Sequence, residues 1–288
     1  MNQIGKTLCM VLLSSPLCTA SLCFADPVAQ ESSQNLTLNQ PIPTAIMVRV
    51  VAHGSMVLGR EVGGAHVTIT DVASGQILAS GLQQGGPGDQ NQIMRTPHLM
   101  GEPLYSARAS ASFTTTLNLT HPTLVDISAE GPLAYPAASQ RVRERMWLIP
   151  GHDLTNDGIV LTLYGYIVQL EHPQPSEPLI AKDDVMLRAS IRTLSGSWVR
   201  PHGDWDSRKI HIYGEVLIGD RVLERLQMFY SGEEARFEAP FFVPLPTEAP
   251  SGITLRVTAA DPSTGNFGVA EATHPILSER LPPKRSSP

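Results

Sequence analysis

From residue 46 onward the chain is a succession of short β-type runs, and no stretch repeats its apolar residues every 3.6 positions. The runs are 46–52, 65–70, 76–79, 112–119, 123–129, 142–148 and 159–170, then 185–193, 209–218, 222–230, 235–243 and 253–259. They alternate in polarity or carry β-branched residues, with Gly, Pro, Asn or Asp between them. That spacing is the pattern of antiparallel sandwiches, and it excludes alternating strand–helix units. Glu171-His172-Pro173-Gln174-Pro175-Ser176-Glu177-Pro178 holds three prolines in eight residues. Proline fixes an extended backbone and removes a ladder donor, so this segment predicts a stiff linker. The expectation is an all-β chain with two antiparallel β-sandwich domains in tandem, 44–171 and 183–277, joined by a linker over 172–182. A Gln-, Ser- and Asn-rich lead (26–43) and a tail (278–288) are expected to be disordered.

These cores must hold without covalent staples, because all three cysteines (Cys9, Cys18, Cys23) lie in the first 25 residues. Those residues read as an export signal: Lys6 supplies the positive start, 7–17 the short apolar run, and small residues precede a cut after Ala25, with Ala20 as the alternative. The apolar run is well short of the ~20 residues of a membrane span and contains Pro16, and Leu before each Cys argues against lipidation. The mature chain is therefore expected in a bacterial periplasm or secreted, with no membrane span, no disulfide and no thiolate chemistry. In that setting the two Asn-Leu-Thr sequons, at Asn35 and Asn118, are accidental. Lys6 is the only charged residue removed with the signal, so the net charge moves from −6 to −7. That balance argues against nucleic acid and anionic membrane surfaces as partners. The alternating Arg141, Arg143 and Arg145 read as a solvated strand face.

The two halves echo one another. Thr68-Ile69-Thr70-Asp71-Val72-Ala73-Ser74-Gly75 parallels Thr258-Ala259-Ala260-Asp261-Pro262-Ser263-Thr264-Gly265. Each predicts a strand leaving through a turn in which an Asp carboxylate accepts from forward backbone amides and a Gly closes. The stretch from Gly63 to Gly81, with its G-G-A-x-V-T-I-T-D start, resembles carboxypeptidase-regulatory-like and related immunoglobulin-like domains of bacterial exported proteins. The second half, with Gly203-Asp204-Trp205-Asp206 and Thr264-Gly265-Asn266-Phe267-Gly268, is similar to immunoglobulin-like domains of such proteins. The resemblance implies immunoglobulin-like or transthyretin-like sandwiches, and binding, spacing or assembly rather than catalysis.

Three loops carry candidate chemistry. The insertion 83–105 is long for a strand connection and gathers Met94, His98 and Met100, soft sulfur and imidazole ligands of the kind cuprous copper prefers; the alternative is a loop packed on the sheet as a satellite core. Asp153-Leu154-Thr155-Asn156-Asp157-Gly158 imitates the opening of a calcium loop, with Asp153, Asn156 and Asp157 as oxygen ligands, but its twelfth position is Tyr164 rather than a carboxylate. The alternative there is an Asx turn that launches a strand. The loop 195–206 offers His202, Asp204, Trp205 and Asp206, a set suited to ligand or partner contacts, to a sugar ring stacked on the indole, or to zinc with His211. His121, His172 and His274 each precede a proline and are expected to cap loop backbone. No nucleophile elbow, S-x-x-K, H-E-x-x-H, phosphate loop or dinucleotide fingerprint is present. The leading expectation is an exported, non-enzymatic binding or assembly module, needing no cofactor, that contacts an unidentified periplasmic protein or ligand through loops 83–105 and 195–206. Periplasmic handling of copper or calcium is the alternative, and a hydrolase with a dispersed site ranks last.

Overall fold

The first seven strands are β1 (Ile42–Ala52), β2 (His66–Asp71), β3 (Ile77–Leu82), β4 (Phe113–Leu119), β5 (Thr123–Gly131), β6 (Gln140–Leu148) and β7 (Leu154–Leu163). They form two sheets, ordered β4-β1-β7 and β3-β2-β5-β6. Alternate residues from both sheets, among them Ile46, Val48, Val50, Val67, Ile69, Val125, Ile127 and Leu161, fill one apolar core. All these ladders are antiparallel except β1 with β7, which is parallel. The computed structural model describes residues 40–99, 101–105, 110–233 and 235–278. The expected signal segment, nearly all of the lead, Met100 and the tail from 279 lie outside the described residues.

Ten further strands follow: β8 (Tyr166–His172), β9 (Leu179–Ile180), β10 (Asp184–Thr193), β11 (His211–Ile218), β12 (Arg221–Gln227), β13 (Phe229–Tyr230), β14 (Arg236–Phe242), β15 (Ile253–Asp261), β16 (Asn266–His274) and β17 (Ile276–Leu277). Two antiparallel sheets, β13-β14-β10-β8 and β12-β11-β15-β16, enclose a second core that includes Leu187, Ile191, Val216, Phe237, Leu255 and Val257. The chain is thus all-β, in two sandwiches. The proline-rich segment 172–182 carries β9, which pairs in parallel with β17, and Leu179 is buried in the second core.

Both Asp-initiated turns form. Asp71 Oδ1 accepts from the Ala73 amide (2.7 Å) and Asp261 Oδ1 from the Ser263 amide (3.0 Å), while Gly75 and Gly265 donate to the Asp71 and Asp261 carbonyls. The arginine ladder on β6 faces acids on β5: Arg141 pairs with Glu130, and Arg143 and Arg145 share the buried Asp126. Those two guanidiniums hold the Asp126 carboxyl at about 2.

Residues 159–170, expected as one strand, are two strands in different sheets. The chain breaks at Gly165, whose φ of 145° lies where L side chains are strained. Beyond it the first three residues of β8 are buried on both faces: Ile167 enters the first core, while Tyr166 and Val168 enter the second. Leu194, just past β10, also packs in the first core. Both sandwiches consequently belong to one compact unit. Gly268 of β16 approaches β8 so closely that a Cβ there would stand 2.6 Å from the Tyr166 carbonyl oxygen.

Buried polar side chains complete the frame. Gln83 accepts from the Val50 amide and donates to the carbonyls of Val50 and Leu58, so one side chain takes the place of a missing strand beside β1. Gln83→Ala takes the side-chain partner from the buried Val50 amide and Leu58 carbonyl, each costing roughly 1–3 kcal/mol, while the Val50 carbonyl keeps the Leu58 amide as donor. Denaturant unfolding is expected to show a loss of about 2–5 kcal/mol at unchanged m-value. Gln84→Ala, at an exposed position, should change stability by under about 0.5 kcal/mol.

Candidate functional site

The two loops singled out in the sequence, 83–105 from the first sandwich and 195–206 from the second, meet at the junction. In loop 83–105 Asp89 caps a short helix, α1 (Gln90–Met94), by accepting from the Gln92 amide. Ile93 and Tyr105 pack with Val51, Val57, Ala111 and Val160 in a small separate apolar cluster, which holds the loop on the first sheet. Asp204 reaches this helix from the other side. It accepts from Arg95 Nη2 at 2.7 Å and Nε at 3.3 Å, and from Gln90 Nε2. The Arg95 guanidinium holds the Asp204 carboxyl below the usual carboxylate range. Next in sequence, Trp205 donates from Nε1 to the Gly54 carbonyl at 3.1 Å, beside the end of β1.

Asp206 faces inward to its own loop. It accepts from the amides of His202 and Arg208 and pairs side-on with the Arg208 guanidinium, which holds its carboxyl well below the usual range. His202 is exposed with φ of 58°, a left-handed conformation stabilised by that amide bond. Of the four residues picked from this loop, two tie the sandwiches together, one shapes the loop, and His202 presents its ring to solvent.

Beside loop 195–206 lies a cleft of about 240 Å³, lined by His53, Tyr166, Trp205, Lys209, Asp261 and Asn266 among others. His53 stacks on Tyr164 with ring centroids 4.2 Å apart, and its buried Nδ1 has no partner among the described residues. Asn266 crosses the cleft, accepting from the Gly165 amide at 2.9 Å and donating to the His53 carbonyl at 3.1 Å. The Tyr166 hydroxyl is pushed up to about 12 by burial and by the Asp261 carboxylate beside it. Burial works against ionisation of Asp261, but hydrogen bonds from Ser263 and Thr264 outweigh it, so its carboxyl stays below the ordinary value. The cleft is therefore a polar surface of charged and hydrogen-bonding groups.

The expected metal ligands have other partners. Asp153 Oδ1 accepts from the Ala45 amide at 2.7 Å, and the two Asp157 oxygens accept from the amides of Leu104 (2.6 Å) and Tyr105 (2.7 Å). The backbone carbonyls of Asn156 and Asp157 both accept from Nη1 of Arg49, which is 4% exposed. The calcium-like motif is thus a clamp on the end of loop 83–105, and its cation is a buried guanidinium. Met94 is half-buried and His98 is exposed, and Met100 lies outside the described residues. Among the described residues no three His, Cys, Asp or Glu side chains converge on a metal position.

No family model matches the chain, and no curated protein does. Among solved structures the chain is similar to fibronectin(III)-like modules of CbhA from Clostridium thermocellum, at 8% identity over 83% of this chain and 98% of that one, with a TM-score of 0.25. It is also similar to a three-Ig-domain structure of titin, at 12% identity over 82% and 66% with a TM-score of 0.26. A third is the apo β-glucuronidase 3 of Bacteroides uniformis, at 11% identity over 80% and 25% with a TM-score of 0.20. The sandwich assignment rests on the ladders of the chain itself.

Sequence reasoning missed Asn266, Gln83 and Arg49, because a polar side chain that bonds distant backbone leaves no periodic signal. Asp204→Asn removes the charge from the inter-loop contact. Hydrogen exchange of the Gln92 to Thr96 amides should rise while the β10–β14 ladder keeps its protection, and global stability should change by about 1 kcal/mol or less. Because the folded Asp204 carboxyl is lowered, its contribution is in place above the ordinary value near ~3.9 and is lost as pH falls through the lowered one. The same amides should then stay protected from neutrality down to about pH 4 and lose protection below it.

Proposed function

We propose that this chain is an exported, non-enzymatic binding or assembly module whose loops 83–105 and 195–206 act as one composite contact surface. The observation that carries this reading is the Arg95–Asp204 pair at 2.7 Å, which joins the two loops across a junction fixed by β8. Each loop also exposes apolar surface: Leu99 is 72% and Trp198 38% exposed. Large apolar side chains set among charged neighbours are the usual anchors of a protein contact. A non-enzymatic role fits the cleft, where Asp204 and Asp206 are held ionised by arginines and Tyr166 is too weak an acid to titrate near neutrality.

Two measurements test this. A photo-crosslinking residue placed at Leu99 or at Trp198 in the exporting cell should trap the same partner. One placed at Ile77, exposed on β3, should trap none, and Asp204→Ala should weaken both productive crosslinks. Equal trapping at all three positions, or at none, contradicts the composite surface. The intact mass of the exported chain should correspond to a start at Asp26; retention of Met1 contradicts export through this signal.

A further inference from the structure

The second sandwich holds a larger cavity, of about 670 Å³, that adjoins the junction cleft at Ile210 and is otherwise lined by different residues. It opens where the chain passes from β12 in one sheet to β13 in the other, with loop residues 201–210 at its edge. Its floor is the core itself: Leu226, Met228 and Phe237 are each at most 6% exposed. Phe229, 60% exposed, stands at its side. An opening onto core side chains, in the size range of ligand pockets, accepts an apolar body.

The rim is one-sided in charge. The charged or titratable side chains lining the cavity are Arg208, His211, Arg225 and the phenols of Tyr213 and Tyr230; no carboxylate lines it. This is unusual on a chain of net charge −6. Arg225 lies over the Tyr213 ring at 4.9 Å and uses Nε and Nη2 on Glu215, and Arg208 uses Nε and Nη2 on Asp206. Among the described residues neither Nη1 has a hydrogen-bond partner, and the two side chains are 65% and 58% exposed. The carboxylates behind them fix both guanidiniums in place, leaving donors directed by geometry rather than by chance.

We infer that this cavity binds a long-chain carboxylate, with its apolar chain on Leu226, Met228 and Phe237 and its head group at Arg225 and Arg208. Such a ligand matches both halves of the site: apolar burial supplies affinity, and charge-assisted hydrogen bonds select the anionic head. The inference concerns a second site and does not depend on the composite loop surface.

The test is isothermal titration of the full chain with dodecanoate below its micellar concentration, beside dodecyl maltoside and acetate. Dodecanoate should bind roughly tenfold or more tightly than dodecyl maltoside, and acetate should give no saturable signal. Arg225→Gln should weaken dodecanoate by about tenfold and leave dodecyl maltoside unchanged, with recovery in Arg225→Lys. Glu215 keeps its second partner, Arg256, in these variants. Should Arg225→Gln fail to fold, Gln227→Trp decides: it adds bulk at an exposed lining position on the Arg225 side of β12 and should abolish dodecanoate binding by blocking the head-group end. Equal affinity for the charged and neutral amphiphiles, absence of dodecanoate binding, or undiminished binding in Gln227→Trp would each overturn the inference.

Discussion

A strand that starts buried on both faces governs this molecule. In an ordinary sandwich each strand shows one side to its core and the other to water, which lets tandem domains swing about their linker. Here β8 gives Ile167 to one core and Tyr166 and Val168 to the next, so turning the sandwiches relative to each other means exposing apolar surface on one side or the other. That constraint explains why loops from different sandwiches can hold an ion pair. A salt bridge between half-exposed side chains is too weak to position two domains, but it forms readily between surfaces already placed.

Around that strand, polar side chains do what disulfides do in other folds. Gln83 closes the ladder of β1, Arg49 and Asp157 clamp the end of the long loop, Asn266 links the β7–β8 turn to the end of β1, and Ser55 reaches Thr193 and Ser195 across the junction. Each satisfies backbone or hydroxyl groups that burial would otherwise leave unpaired, and such groups are costly when orphaned. With Cys9, Cys18 and Cys23 all inside the expected signal, none of this depends on redox conditions.

Much of the architecture was legible because strand periodicity is local. The runs at 46–52, 123–129 and 253–259 sit within β1, β5 and β15, and the paired Asp–Gly turns formed as their chemistry dictates. β16 escaped notice for a physical reason: Gly268, Ala270 and Ala272 face inward while Phe267 and Val269 are half exposed, so its apolar pattern is inverted. The β7–β8 break was hidden because an apolar run says nothing about which sheet receives it, and a single glycine such as Gly165 also occurs within strands. The loop residues Asp204 and Trp205 were visible as a cluster, yet their partners Arg95 and Gly54 are more than a hundred positions away. The calcium-like motif does not reveal its partners for the complementary reason, since oxygen-rich turns serve amides and guanidiniums as well as ions.

The central claim is that the two cores are one mechanical unit, and native-state hydrogen exchange under rising denaturant tests it most directly. Amides of Val50 and Val125 report the first core, and those of Ile191 and Leu255 the second. The account predicts that all four exchange through one opening of the same free energy and the same denaturant dependence. Exchange of the first pair at a distinctly lower free energy, with the second pair still protected, would contradict it.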